Sequence, residues 1–250
     1  MRKDQYVLET VPLGPQKLIA YGHFGRPVLA LASDSGRAED FENNGLLGAV
    51  ADLVEGGKVK IYCIDSFETE SWRRSDLPLE GRAREHQRFE DFVVNDVVPF
   101  IYQDCAGAQD ILVTGCSFGA FHAANFTLRR ADLFPRAICM SGAYDMSKMG
   151  WGERGDSFYF NNPVDYVTHL HGDHLDWLRQ RAHLTLVAGQ GPWEDDSASG
   201  ALGSTLHLGA LLADKGIPHE LDIWGWDSAH DWPWWQRQLA VHLPRHVSQG

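Results

Sequence analysis

Apolar positions follow two distinct rhythms along the chain. Residues 5–11 and 17–22 alternate apolar with polar, which predicts two short strands paired as an antiparallel edge hairpin. From residue 27 onward the rhythm changes to largely apolar runs at 27–32, 59–64, 111–113, 137–140 and 184–188, with Lys60 and Thr185 as polar members, and a further strand over 219–224. Runs so poor in polar residues fit strands buried from both sides. Between them, helical spacing recurs at 41–53, 89–101, 119–128, 206–213 and 234–242, and another helix is expected from Leu175. Strand and helix thus alternate. The prediction is an α/β fold with a mostly parallel central sheet, helices on both faces and antiparallel strands at the N-terminal edge. No repeat or Pro/Ser-rich linker divides the chain, so one domain is expected over 1–250. The irregular stretch 141–181 reads as a cap or pocket-wall insertion over the carboxyl ends of the strands, where ligands bind in such folds.

Composition narrows the function classes. A hydrophobic share of 44% and 11% aromatics argue for a packed core and against disorder. Against 34 Asp+Glu stand 22 Lys+Arg, for a net charge of −12, and the dense basic runs are the single pairs Arg73-Arg74 and Arg129-Arg130. Nucleic acid is therefore not an expected partner. The first thirteen positions carry charges and no apolar h-region, and no stretch approaches the roughly 18 apolar residues that a membrane span needs. A cytoplasmic protein without a membrane partner is the expectation. Cys63, Cys105, Cys116 and Cys139 show no C-x-x-C spacing and read as free thiols.

One segment carries chemistry. Strand 111–113 runs through Thr114 into Gly115-Cys116-Ser117-Phe118-Gly119 and directly into a helix. A serine at such a turn is held in a strained backbone with its hydroxyl above the sheet, and small neighbours are required where helix and strand approach closely. Gly115, Gly119 and Ala120 meet that demand. Ser117 is thus the candidate nucleophile, and the Phe118 amide, at a helix N-terminus, a candidate oxyanion donor. Cys116 is the weaker candidate because its side chain points back toward the sheet.

A serine needs a base oriented by a carboxylate, in the chain order serine, acid, histidine. Among 12 histidines, His230 occupies the loop between the last strand and the last helix. Glu194, Asp195 and Asp196 follow strand 184–188. Glu194 is preferred as the acid, being nearest the strand and beside Trp193, with Asp195 second. Five tryptophans, Trp224, Trp226, Trp232, Trp234 and Trp235, bracket His230 and are expected to wall its loop.

Residues 113–126, the run Met140-Ser141-Gly142-Ala143-Tyr144-Asp145, and Trp224 with His230-Asp231-Trp232-Pro233-Trp234 resemble the esterase branch of the α/β-hydrolase superfamily, the group related to esterase D and S-formylglutathione hydrolase. The resemblance spans about Pro27 to Leu239. It implies a serine hydrolase with Ser117 as nucleophile, His230 as base and an acid after the seventh strand. It also implies a second oxyanion amide in the turn Ser33-Asp34-Ser35, with Asp34 the preferred position. The chain departs from that group in offering Glu194 where aspartate is usual and in lacking a His-Gly start to the third-strand loop.

A competing motif is Thr168-His169-Leu170-His171-Gly172-Asp173-His174, which reads H-x-H-x-D-H, a zinc-site pattern of the metallo-β-lactamase fold. The preceding residues are short, polar and proline-interrupted rather than a buried strand, which favours a solvated turn. The expectation is a hydrolase that cleaves a small-molecule carboxylic ester or thioester through an acyl-enzyme, without metal or cofactor. An acyltransferase on the same fold and a metal-dependent hydrolase using the histidine cluster are the alternatives, and a homo-oligomer is left open. Trp151, Phe158, Tyr159 and Phe160 are candidates for an aromatic-lined pocket or for core.

Overall fold

The computed structural model describes residues 1–11, 13–195 and 200–247. Eight strands form one sheet: β1 (Lys3–Thr10), β2 (Gly14–Tyr21), β3 (Arg26–Leu31), β4 (Val59–Ile64), β5 (Leu112–Cys116), β6 (Arg136–Met140), β7 (His183–Ala188) and β8 (His219–Ile223). Their order across the sheet is β1-β2-β4-β3-β5-β6-β7-β8. β1 pairs antiparallel with β2, and β2 antiparallel with β4. All further pairings are parallel. The edge hairpin and parallel interior are those the two rhythms predict. Within each interior strand the residues still divide by parity. Leu29 and Leu31 pack into the cluster on one face, and Val28 and Ala30 into the cluster on the other.

Chain winding reverses at β3. The next strand, β4, lies on one side of it and β5 on the other, so the loops after β3 and β5 diverge and leave a crevice at their carboxyl ends. Ser33-Asp34-Ser35 follows β3, and Ser117 follows β5.

Three helical regions differ from the predicted ones. Segment 41–53 is broken into α1 (Asp40–Asn43), α2 (Leu46–Ala49) and α3 (Ala51–Glu55), first where Gly45 adopts a left-handed φ of 75° and again at Val50, whose φ of −122° and ψ of 19° leave the helical region. Segment 89–101 begins ten residues earlier. α4 (Leu79–Phe92) passes through a π-helical turn, Val93–Val97, into α5 (Val98–Asp104). Pro99 has no N–H to donate to the preceding turn, and the wider π turn absorbs the lost bond. The stretch 141–181 is not irregular. It holds a 3-10 turn at Met146–Met149, then α7 (Asp156–Tyr159), α8 (Pro163–His169) and α9 (Gly172–Arg181). The proline that argued against a buried strand before the histidine run is the first residue of α8, where its fixed φ suits a helix start.

The nucleophile helix α6 (Phe118–Arg129) is buried from Gly119 to Leu128, which explains its almost uninterrupted apolar sequence. α10 (Ala201–Lys215) and α11 (Trp232–Val247) follow β7 and β8. No helix among the described residues is long and apolar enough to cross a membrane.

Candidate active site

Ser117 joins β5 to α6 at φ 56° and ψ −117°, outside the regions an L-residue adopts freely. Neighbouring backbone holds it there. Its N–H donates to Met140 O at 2.8 Å, and its own carbonyl accepts from Ala120 N and Phe121 N. A Cβ on Gly115 would strike the Gly119 backbone, and one on Gly119 would strike the carbonyls of Leu31 and Ala32. Strand β3, strand β5 and helix α6 therefore meet backbone to backbone, the close approach that the glycine spacing implies.

His230 lies between β8 and α11, with its N–H donated to Pro192 O at 3.0 Å. Nε2 is 3.0 Å from Ser117 Oγ, and Nδ1 is 3.4 Å from Glu194 Oε2. The ring packs edge-on against Trp235, centroids 5.0 Å apart, and Trp235 in turn packs against Trp232. Glu194 is fully buried. Its second oxygen accepts from Gly189 N–H at 3.0 Å and from Ser141 Oγ at 2.7 Å. Ser141 Oγ itself accepts from Trp235 Nε1 at 3.0 Å. Two donors on one oxygen and an imidazole beside the other satisfy the polar atoms of this buried carboxyl group.

These three side chains, drawn from loops after β5, β7 and β8, are thus brought together. With a proton on Nδ1 directed at Glu194, the free Nε2 lone pair accepts the Ser117 hydroxyl. Asp195 lies on the cavity wall and is exposed, without a contact to His230, and Asp196 lies outside the described residues. Cys116 is fully buried in the opposite cluster, and burial pushes its thiol far above the usual range.

In the turn after β3, Ser35 adopts φ 54°. Its N–H is spent on Glu68 Oε2 at 2.8 Å, and the Gly36 N–H on Ser33 O at 3.0 Å. The Asp34 carboxylate is paired with Arg73. Phe118 opens α6, where an amide has no intrahelical acceptor. Asp34, Phe118, Ser117 and His230 all line one cavity of about 630 Å³, whose far wall includes Met146 and Met149.

The tryptophans divide. Trp235 and Trp232 support His230, Trp224 packs against Trp234, and Trp226 is 77% exposed. The expected wall is therefore narrower than five residues. Trp193, next to the acid in sequence, is not buried with it. It is held at φ 65° and stands 61% exposed on the cavity wall. Of the aromatics in 141–181, Phe158 is core, Trp151 is exposed and donates to Ser75 O, and Tyr159 and Phe160 line a separate cavity of about 320 Å³. The serine cavity receives methionines from this segment instead.

The three histidines of the H-x-H-x-D-H run line the same cavity of about 320 Å³ as Tyr159 and Phe160, outside the serine cavity. His169 ends α8 with Nδ1 on Asp165 O at 2.8 Å, His171 precedes α9, and His174 on α9 sets Nε2 on Leu128 O at 3.2 Å. Among the described residues no group of three or more His, Cys, Asp or Glu could hold a metal ion.

Two contributors escaped the sequence reading. Ser141 supports the acid, yet only its place in a Met-Ser-Gly run after β6 marks it. Glu68 and His122 form a buried pair at 2.6 Å behind the cavity, and no local motif announces Glu68.

Three solved structures share this architecture. A ferulic acid esterase matches with a TM-score of 0.76 at 19% identity, covering 99% of this chain and 98% of the other. Mycobacterium tuberculosis MPT51 (FbpC1) matches at 0.77 and 12% identity over 99% and 98%. An S-formylglutathione hydrolase from Agrobacterium tumefaciens matches at 0.73 and 14% identity over 98% and 94%. At such identities the likeness establishes the α/β-hydrolase fold. No curated protein matches the chain in sequence. The family model described as "Putative esterase" matches residues 31–246, from the end of β3 through most of α11. The chain belongs to this esterase family, a carboxylesterase-like serine hydrolase built on the α/β-hydrolase fold.

Proposed function

We propose that the protein hydrolyses a small-molecule carboxylic ester or thioester through an acyl-enzyme on Ser117, with His230 as general base and Glu194 as the orienting acid. The observation that carries this reading is the continuous contact from Ser117 Oγ to His230 Nε2 at 3.0 Å and from His230 Nδ1 to the buried Glu194, facing an open cavity. Ser117 Oγ attacks the substrate carbonyl carbon as its proton passes to His230 Nε2. The carbonyl oxygen takes the negative charge, held by the amides of Phe118 and Asp34. Collapse expels the alcohol or thiol, which leaves with the proton from His230, and the acyl group stays on Ser117. Water, deprotonated by His230, then releases the acid. The acyl or alcohol portion rests against Phe118, Met146, Met149 and Trp193. Four free thiols, three of them fully buried, agree with a cytoplasmic setting.

Fluorophosphonate reacts with a serine only when it is activated. Labelling of the wild type at Ser117, lost in Ser117→Ala together with turnover of p-nitrophenyl acetate, is the expected result. Undiminished turnover in Ser117→Ala would refute the assignment.

A further inference from the structure

Behind the cavity lies a second carboxylate–imidazole pair. Glu68 opens a 3-10 turn, Glu68–Glu70, after β4 and is fully buried. Its Oε1 lies 2.6 Å from His122 Nε2 on α6, and its Oε2 accepts the Ser35 N–H at 2.8 Å. One side chain thus bridges the nucleophile helix and the turn after β3. Neighbouring residues fasten the same turn. Ser66 N–H donates to Gly36 O at 3.1 Å, Ala38 N–H donates to Asp65 Oδ1 at 2.8 Å, and Arg73 holds Asp34.

The surroundings exclude a chemical role in the reaction itself. His122 stacks on His86 with centroids 5.1 Å apart, Phe89, Phe121 and Phe126 pack around it, and Phe118 stands between its ring and the serine cavity. Neither Glu68 nor His122 lines the serine cavity. Folding stability alone is a poor reason to bury this pair, because a carboxylate taken from water costs several kcal/mol before its contacts offset it. A geometric duty is the better account. Ser35 keeps a left-handed φ of 54°, and the acceptor that its amide meets there is Glu68.

We infer that Glu68, held by His122, is a positioning residue for the oxyanion hole. By engaging the Ser35 amide it fixes the turn that offers the Asp34 amide. By tying that turn to α6 it sets the spacing between the two donors, Asp34 and Phe118. The inference rests on the hydrolase reading above.

The test uses the full chain and the variants Glu68→Ala, Glu68→Gln and His122→Leu, with kcat and KM for p-nitrophenyl acetate expressed per site titrated by fluorophosphonate. Inhibition by a trifluoromethyl ketone, whose serine adduct carries an oxyanion, is measured in parallel. Loss of one oxyanion donor costs about 10²–10³ in kcat, so misplacing one in Glu68→Ala is expected to cost about 30- to 100-fold. KM should move less than about threefold, and ketone affinity should fall with kcat. Glu68→Gln keeps an acceptor for Ser35 and a hydrogen bond to His122, and is expected within about fivefold of wild type. His122→Leu should fall between the two.

A brace serving stability alone would lower the melting temperature and leave kcat per titrated site unchanged. That outcome in Glu68→Ala, or in His122→Leu should the alanine variant not fold, overturns the inference, as do equal losses in Glu68→Ala and Glu68→Gln. A wild type that fluorophosphonate does not label defeats the hydrolase reading instead, and the inference falls with it.

Discussion

Two buried carboxylates in this molecule face imidazoles, and the pairs differ in where the second ring nitrogen looks. At Glu194–His230 the contact is 3.4 Å, and the far nitrogen reaches Ser117 at the floor of a cavity. At Glu68–His122 the contact is 2.6 Å, and the far nitrogen, Nδ1, is buried without a partner among rings. The tighter pair is therefore the one with no route to a substrate. A proton carrier needs one nitrogen held and the other free, and contacts around it commonly tighten only once substrate is bound. A brace needs only closeness.

Removing the imidazole is the strongest way to separate the two. His230→Ala should lower kcat by about 10⁴-fold or more, as triad deletions do. His122→Leu should stay orders of magnitude more active. Comparable losses in both would erase the distinction.

The next effects concern the acids. Glu194→Gln keeps the shape but loses the charge that stabilises the imidazolium, and kcat should drop by about 10²- to 10⁴-fold with little change in KM. Ser141→Ala removes one charge-assisted hydrogen bond to Glu194, worth about 1.5–3 kcal/mol, and should cost about 10- to 100-fold. Steady-state kinetics across both variants measures how far the catalytic pair depends on its support.

A smaller effect is expected from pH on stability. Burial, with Arg129 nearby, holds His86 well below its usual range, and burial beside His183 and Arg136 holds His246 down to about 3. Both stay neutral in the fold while the unfolded chain takes up protons below about pH 6.5. Their contribution is complete above that pH and is lost as the pH falls, for His246 over the window from 6.5 to about 3. Each group can remove up to about 1.4 kcal/mol per pH unit. Thermal melts at pH 7 and pH 5 should show a lower Tm at pH 5, and a flat profile would contradict the neutral stack beside His122. The smallest effect concerns His169→Ala and added chelator, each expected to leave kcat within about twofold, since the histidine run lies outside the serine cavity and no group of three or more His, Cys, Asp or Glu among the described residues could hold a metal ion.

Much of this was legible from residue order. β3 to β7 stand out because burial on both faces leaves few polar positions, such as Lys60, Thr114 and Thr185, and the glycine spacing around Ser117 reflects a collision that any Cβ would cause. Other parts were hidden for physical reasons. The first turns of α4 carry Arg82, a buried cation that donates to the carbonyls of Leu77, Trp72 and Met149, so the helix lacks the apolar stripe that marks its neighbours. Ser141 and Glu68 act through contacts 53 and 54 residues away in sequence, and no short pattern encodes such a distance. His122 was visible on the helix that Ser117 opens, but its role depends on Glu68.

The backbone contact of Gly119 with Leu31 and Ala32 has a consequence for heat inactivation. No side chain cushions the strand that leads to the oxyanion turn from the helix that begins at the nucleophile. Neither can loosen alone, because each is the other's wall. The catalytic spacing should therefore survive heating until the central sheet itself gives way, so that loss of activity and loss of secondary structure trace a single curve rather than two.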